Sequence, residues 1–177
     1  QETWASYEIK YPDWEKQKID WGPLWNAVNF VATTDDYVFD EEVKNYFDYP
    51  VVRDYFLFIE LMLATDNHGK NMFFFNYDQK AQKCAKMIGI TPWDLDTSYG
   101  GEWEGSYHNV VANNDAILKV RPYARLWKGN LNKYQTAVAD RWRTLSKTLL
   151  SKEAFNARVD AYVKQFKESG AWEREYN

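Results

Sequence analysis

The chain has 177 residues, 45% hydrophobic and 27% charged, with a formal net charge of −4. This balance excludes a disordered chain and suits one soluble globular domain over residues 1–177; the dispersed basic residues argue against a nucleic-acid partner. No apolar run reaches about 18 residues, so no membrane span is expected, and the single cysteine, Cys84, excludes an intrachain disulfide or a Cys-based zinc cluster.

Along the chain, residues 2–12 alternate weakly around Tyr7, Ile9 and Tyr11 and predict an edge strand ended by Pro12. From Trp21 the period becomes helical: Leu24, Val28 and Val31 recur at three- and four-residue steps, and Pro23 suits a first turn. Asp40 is the expected cap of a short helix bearing Val43, Tyr46 and Phe47. Pro50 opens another, with Val51, Tyr55, Phe58, Ile59 and Met62 on its buried face and an end near Ala64. Two apolar runs, 72–75 and 87–90, predict strands joined by a hairpin loop over 76–83. A helix broken by Pro122 is expected over 116–127. A better one carries Tyr134, Val138, Trp142 and Leu145. Ser151 caps a last helix whose Phe155, Val159, Tyr162, Val163 and Phe166 are expected to face inward. The total is α+β and mainly helical. Aromatics make up 18% of the chain but are scattered, which favours packing over a stacking stripe; Trp103, Trp127 and Trp142 are read as packing residues.

Two motifs carry chemistry. Asp66-Asn67-His68-Gly69-Lys70-Asn71 has the form D-x-x-x-x-N, and Pro92-Trp93-Asp94-Leu95-Asp96 is followed by Gly100. If the two apolar strands pair antiparallel, the start of the first lies beside the end of the second. Asn71 and Asp94 then share one rim, with Asp66 in the loop leading into it. Such oxygen ligands suit a hard cation. Phosphoryl transfer needs a metal on the phosphates and a separate Asp to accept the proton of the attacking hydroxyl. In that scheme Asp66 is the base, and Asn71 and Asp94 are the metal ligands. Asp96 is a second ligand or a loop anchor, and Trp93 and Leu95 suggest a partly buried Asp94 carboxylate. His68 and Lys70 are candidates for substrate or phosphate contact. Gly100-Gly101 marks a turn, with an activation-like loop running on to Asn114. Cys84 and His108 carry no assignable role.

The coupled motifs resemble the CotH kinase family, the spore-coat-protein-H-like atypical kinases of the wider protein-kinase-like fold. The resemblance rests on the loop from Asp66 to Asn71, the strand that follows to Tyr77, and the segment from Pro92 to Gly100, with Arg141-Trp142 in the later helices. It implies a protein-kinase-like C-lobe with a catalytic β-hairpin, Mg²⁺ or Mn²⁺ and ATP as cofactors, and transfer of phosphate to protein Ser or Thr. Asp94 then stands where ordinary kinases have the Asp of Asp-Phe-Gly. A kinase also needs a phosphate-covering loop and a basic residue on an early strand. The residues before Ala64 contain no Gly-rich loop, and nothing marks Lys10 or Lys16 as that cation. The expectation is therefore the C-terminal part of a CotH-like domain, with the N-terminal lobe largely absent. An extracytoplasmic or cell-surface location is expected, with the cytoplasm left open, since a signal peptide removed before Gln1 leaves no trace. Two other functions fit the same residues: a pseudokinase or scaffold, and an extracellular module that stacks Trp and Tyr on glycans.

Overall fold

A computed structural model describes residues 3–13, 15–76, 87–107 and 116–176. Helices alternate with two small two-stranded sheets, an α+β arrangement. Residues group into two compact units, Gln1–Gln135 and Thr136–Asn177.

In the first unit, a short hairpin pairs β1 (Thr3–Trp4) with β2 (Tyr7–Glu8). The expected edge strand is thus two strands turned at Ala5 and Ser6, both left-handed (φ 48° and 71°). Tyr7 sets its ring edge-on to Phe74, with centroids 5.8 Å apart. Lys10 and Lys16 form exposed ion pairs with Glu8 and Asp13.

Helix α1 (Gly22–Thr33) carries Pro23 in its first turn and buries Ala27, Phe30 and Val31. Helix α2 (Asp36–Tyr46) starts one turn earlier than the expected cap at Asp40. Asp35 is the cap, its carboxylate accepting from the Val38 N–H at 2.8 Å. Asp40 lies inside the helix, where its carboxylate and backbone carbonyl accept from Asn132. Helix α3 (Tyr49–Met62) is capped by Asp48, with Pro50 in the first turn, and ends at left-handed Leu63. Its buried face is Val52, Tyr55, Phe56 and Ile59. Val51, Phe58 and Met62 are only half-buried. The helix is apolar nearly all round, so the periodicity leaves its phase open by one residue.

Strands β3 (Met72–Asn76) and β4 (Ile88–Pro92) pair antiparallel as expected, in the register Met72 to Pro92 and Phe74 to Ile90. The Asp48 N–H donates to Ile88 O at 3.0 Å, tying the α2–α3 junction to β4. Phe75 faces Gly89 across the ladder, and a Cβ at Gly89 would lie 2.3 Å from the Phe75 ring. Most of the expected hairpin loop, and Cys84 with it, lies outside the described residues.

The expected break at Pro122 is present: a 3₁₀ turn at Ala116–Lys119 precedes α4 (Tyr123–Lys128). Tyr123, Trp127 and Tyr134 close around Phe56, with ring centroids 5.4–6.2 Å from it. The Tyr123 hydroxyl donates to Val52 O. Trp127 therefore packs as expected.

Helix α5 (Tyr134–Ser146) begins at the end of the first unit, and α6 (Lys152–Glu168) and α7 (Ala171–Tyr176) lie in the second. Ser151 caps α6 by accepting from the Ala154 N–H. Phe155, Val159, Tyr162, Val163 and Phe166 do not face inward. They are 38–71% exposed, and Phe166 meets Trp172 edge-on. Helical spacing registers a shared face, not what covers it. Trp103 and Trp142 are likewise exposed and are not packing residues in this structure.

Candidate functional site

The site is built where α3 stops. Leu63, at φ 52°, turns the chain out of the helix, and a 3₁₀ turn at Thr65–Asn67 carries it to Asn71 at the foot of β3. Asn71 is itself left-handed (φ 49°), and so is Asp94 (φ 55°), two residues beyond β4. Asn and Asp tolerate this region better than other residues carrying a Cβ. Both turns fall at the same end of the hairpin, because Met72 pairs with Pro92.

Three side chains of the first motif meet directly. The Asn71 Nδ2 donates to Asp66 Oδ2 at 2.8 Å. Lys70 Nζ lies 2.7 Å from Asp66 Oδ1, with most of its side chain in solvent. The second motif joins through the backbone: the Trp93 N–H donates to Asn71 O at 2.9 Å. Asp94 follows at once. Its carboxylate is exposed, and Trp93 is 59% exposed, so the expected partial burial of Asp94 is not found. The physical reason is the left-handed turn that follows the strand; Trp93 meets Phe73 as a tilted ring pair, centroids 5.2 Å apart, and leaves Asp94 uncovered. Asp96 is also exposed. The loop bearing both acids is held at its far end, where the Tyr99 N–H donates to Met62 O at 2.7 Å. Gly100, at φ 87°, provides the expected turn. The activation-like loop is described only to Tyr107, and His108 lies outside the described residues.

His68 is half-buried, and desolvation holds its imidazole below the usual value of 6.5. It is therefore mainly neutral at pH 7 and no fixed cation for a phosphate.

Spacing did not point to Asn67. It is fully buried, and its Nδ2 donates to two carbonyls, Asn71 O at 2.7 Å and Trp93 O at 2.6 Å. Its own carbonyl accepts from the Tyr55 hydroxyl at 2.7 Å. Burial raises the Tyr55 pKa, so that hydroxyl stays a donor. Oδ1 of Asn67 is buried and finds no hydrogen-bond partner among the described residues. Leaving a buried acceptor unpaired costs about 1–3 kcal/mol. The only hint in the sequence was an Asn inside a polar loop, which ordinarily reads as a turn residue.

A divalent cation fits the donor chemistry. With Nδ2 of Asn71 committed to Asp66, the amide has only Oδ1 to offer, an oxygen acceptor of the type Mg²⁺ and Mn²⁺ take. Exposed Asp94 and Asp96 supply carboxylates from the neighbouring loop. Among the described residues, no three His, Cys, Asp or Glu side chains gather to hold a metal by themselves. Mg²⁺ is usually held by only one or two protein carboxylates, with water and substrate phosphates supplying the rest.

A helix-ending acidic loop and a second acidic loop thus meet at one end of a short hairpin in an α+β domain. The chain matches the family model described as CotH kinase protein over residues 2–176, and it belongs to the CotH kinase family. Comparison with curated proteins and with solved structures returned no match. Family membership suggests an atypical kinase. No helix among the described residues is long and apolar enough to cross a membrane.

Proposed function

We propose that this chain acts as an atypical kinase domain that uses Mg²⁺- or Mn²⁺-bound ATP to phosphorylate Ser or Thr of a protein substrate, in a protein-kinase-like C-lobe arrangement. The observation that carries this reading is the Asn71–Asp66 hydrogen bond beside the Trp93–Asn71 backbone bond, which brings the Asp66 carboxylate, the Asn71 amide and the start of the Asp94 loop together. A bound divalent ion would neutralise charge on the phosphates. Asn71 Oδ1 and the Asp94 carboxylate would hold it, with Asp96 as a further ligand.

Asp66 is the base in this reading. Each of its oxygens already accepts one hydrogen bond, and each retains a second lone pair for the proton of the attacking hydroxyl. The Asn71 amide fixes the carboxylate's rotation. Lys70, largely in solvent, can leave Asp66 and turn to an incoming phosphate at little cost. Neutral His68 serves substrate as a hydrogen-bonding group rather than as a charge.

Incubation with Mn²⁺, γ-labelled ATP and a generic protein substrate tests the activity. Label on Ser or Thr that disappears in Asp66→Ala supports it. A thermal-shift panel separates the alternatives. No response to metal or nucleotide favours a pseudokinase or scaffold. A shift with sugars favours a glycan-binding module built on the exposed Trp93 and Trp103.

A further inference from the structure

We propose that Asn67 is a positioning residue that holds the two metal-ligand segments at a fixed separation. The proposal rests on the metal-site reading of Asn71 and Asp94 and deepens it.

One buried amide nitrogen spans the two segments. Its two protons go to the carbonyl of Asn71 and to the carbonyl of Trp93, the residue immediately before Asp94. Asn71 O therefore accepts twice, from Asn67 Nδ2 and from the Trp93 N–H. This closes a small knot at the point where both chains turn left-handed. The Asn67 side chain is fully buried, while Asp94 is exposed and held only through the chain. The position of Asp94 relative to Asn71 is set by this backbone, because its own side chain is in water. Other residue types of this size do not serve. Leu has no donor, and Asp would set a carboxylate against two carbonyl oxygens. The unpartnered Oδ1 fits the same account, since both bonds that fix the amide are made by its nitrogen.

Mn²⁺ binding to the full chain, read as loss of the free-ion electron paramagnetic resonance signal, tests the role in wild type, Asn67→Leu and Asn67→Ser. Ser keeps one donor and covers the case where the Leu variant does not fold. Tyr123→Phe, which removes a buried hydrogen bond away from the site, is the stability control. All are measured well below their melting temperatures. Loss of a group that orients metal ligands from behind weakens metal binding by about 10–100-fold. That loss is expected for Asn67→Leu, with a smaller one for Asn67→Ser and wild-type affinity for Tyr123→Phe. Hydrogen exchange at the Trp93 amide is expected to accelerate in the Asn67 variants alone. Wild-type Mn²⁺ affinity in folded Asn67 variants overturns the positioning role and leaves the metal site standing. An equal loss in Tyr123→Phe reduces the effect to general destabilisation and also overturns it. A wild-type chain that does not bind Mn²⁺ overturns the metal-site reading, and this proposal with it.

Discussion

The side-chain amide of Asn71 donates to the carboxylate of Asp66 across 2.8 Å, joining the first and last residues of a six-residue loop. In the proposed kinase reading the two residues have separable jobs, Asn71 holding an oxygen toward a cation and Asp66 accepting a proton. Asp66→Asn should leave the melting temperature and metal binding near wild type. It should lower phosphate transfer by about 10²–10⁴-fold, the usual worth of a positioned general base. Parallel calorimetric and transfer assays check this, and an active Asp66→Asn enzyme would remove Asp66 from the role.

Gly89 is needed because the Phe75 ring lies over it. Gly89→Ala should destabilise the fold by about 1–3 kcal/mol through overpacking. Adding Phe75→Leu should relieve part of that loss, so the double variant should cost less than the sum of the singles. Chemical denaturation of the four proteins measures the coupling; strict additivity would show that the ring does not sit there.

His68 links stability to pH. Its folded pKa is lowered by burial, so the unfolded chain takes up a proton at a higher pH than the folded one. The contribution is complete above about pH 6.5 and is lost as pH falls below it. Thermal melts from pH 7.5 down to 5.5 should show a loss in wild type that is reduced in His68→Gln. Equal slopes for both would contradict the burial argument.

Asp35, not Asp40, caps α2. Asp35→Ala should cost about 1 kcal/mol, or about 2–4 °C of melting temperature for a chain of this length, and Asp35→Ser should restore most of it. An unchanged melting temperature in Asp35→Ala would refute the assignment.

The hairpin and the ends of α3 and α6 were legible because their signals are local: apolar runs of strand length, Pro50 in a first turn, Ser151 before an amphipathic period. The meeting of Asn71 with the Asp94 segment followed from antiparallel pairing alone. Two things were hidden. The cap of α2 was ambiguous, because Asp35, Asp36 and Asp40 are all acidic and only the backbone shows which one lies outside the helix. The burial of Asn67 and the exposure of Asp94 depend on two left-handed turns and on the Tyr55 hydroxyl, none of which leaves a periodic trace. The exposed face of α6 illustrates the same limit.

Titration calorimetry of ATP in the presence of Mn²⁺, on wild type, Asp66→Ala and Asp94→Ala, bears most directly on the two-role site. The expected result is metal-dependent binding that Asp66→Ala retains and Asp94→Ala loses. Equal affinity in all three proteins, or equal loss in both variants, would contradict it.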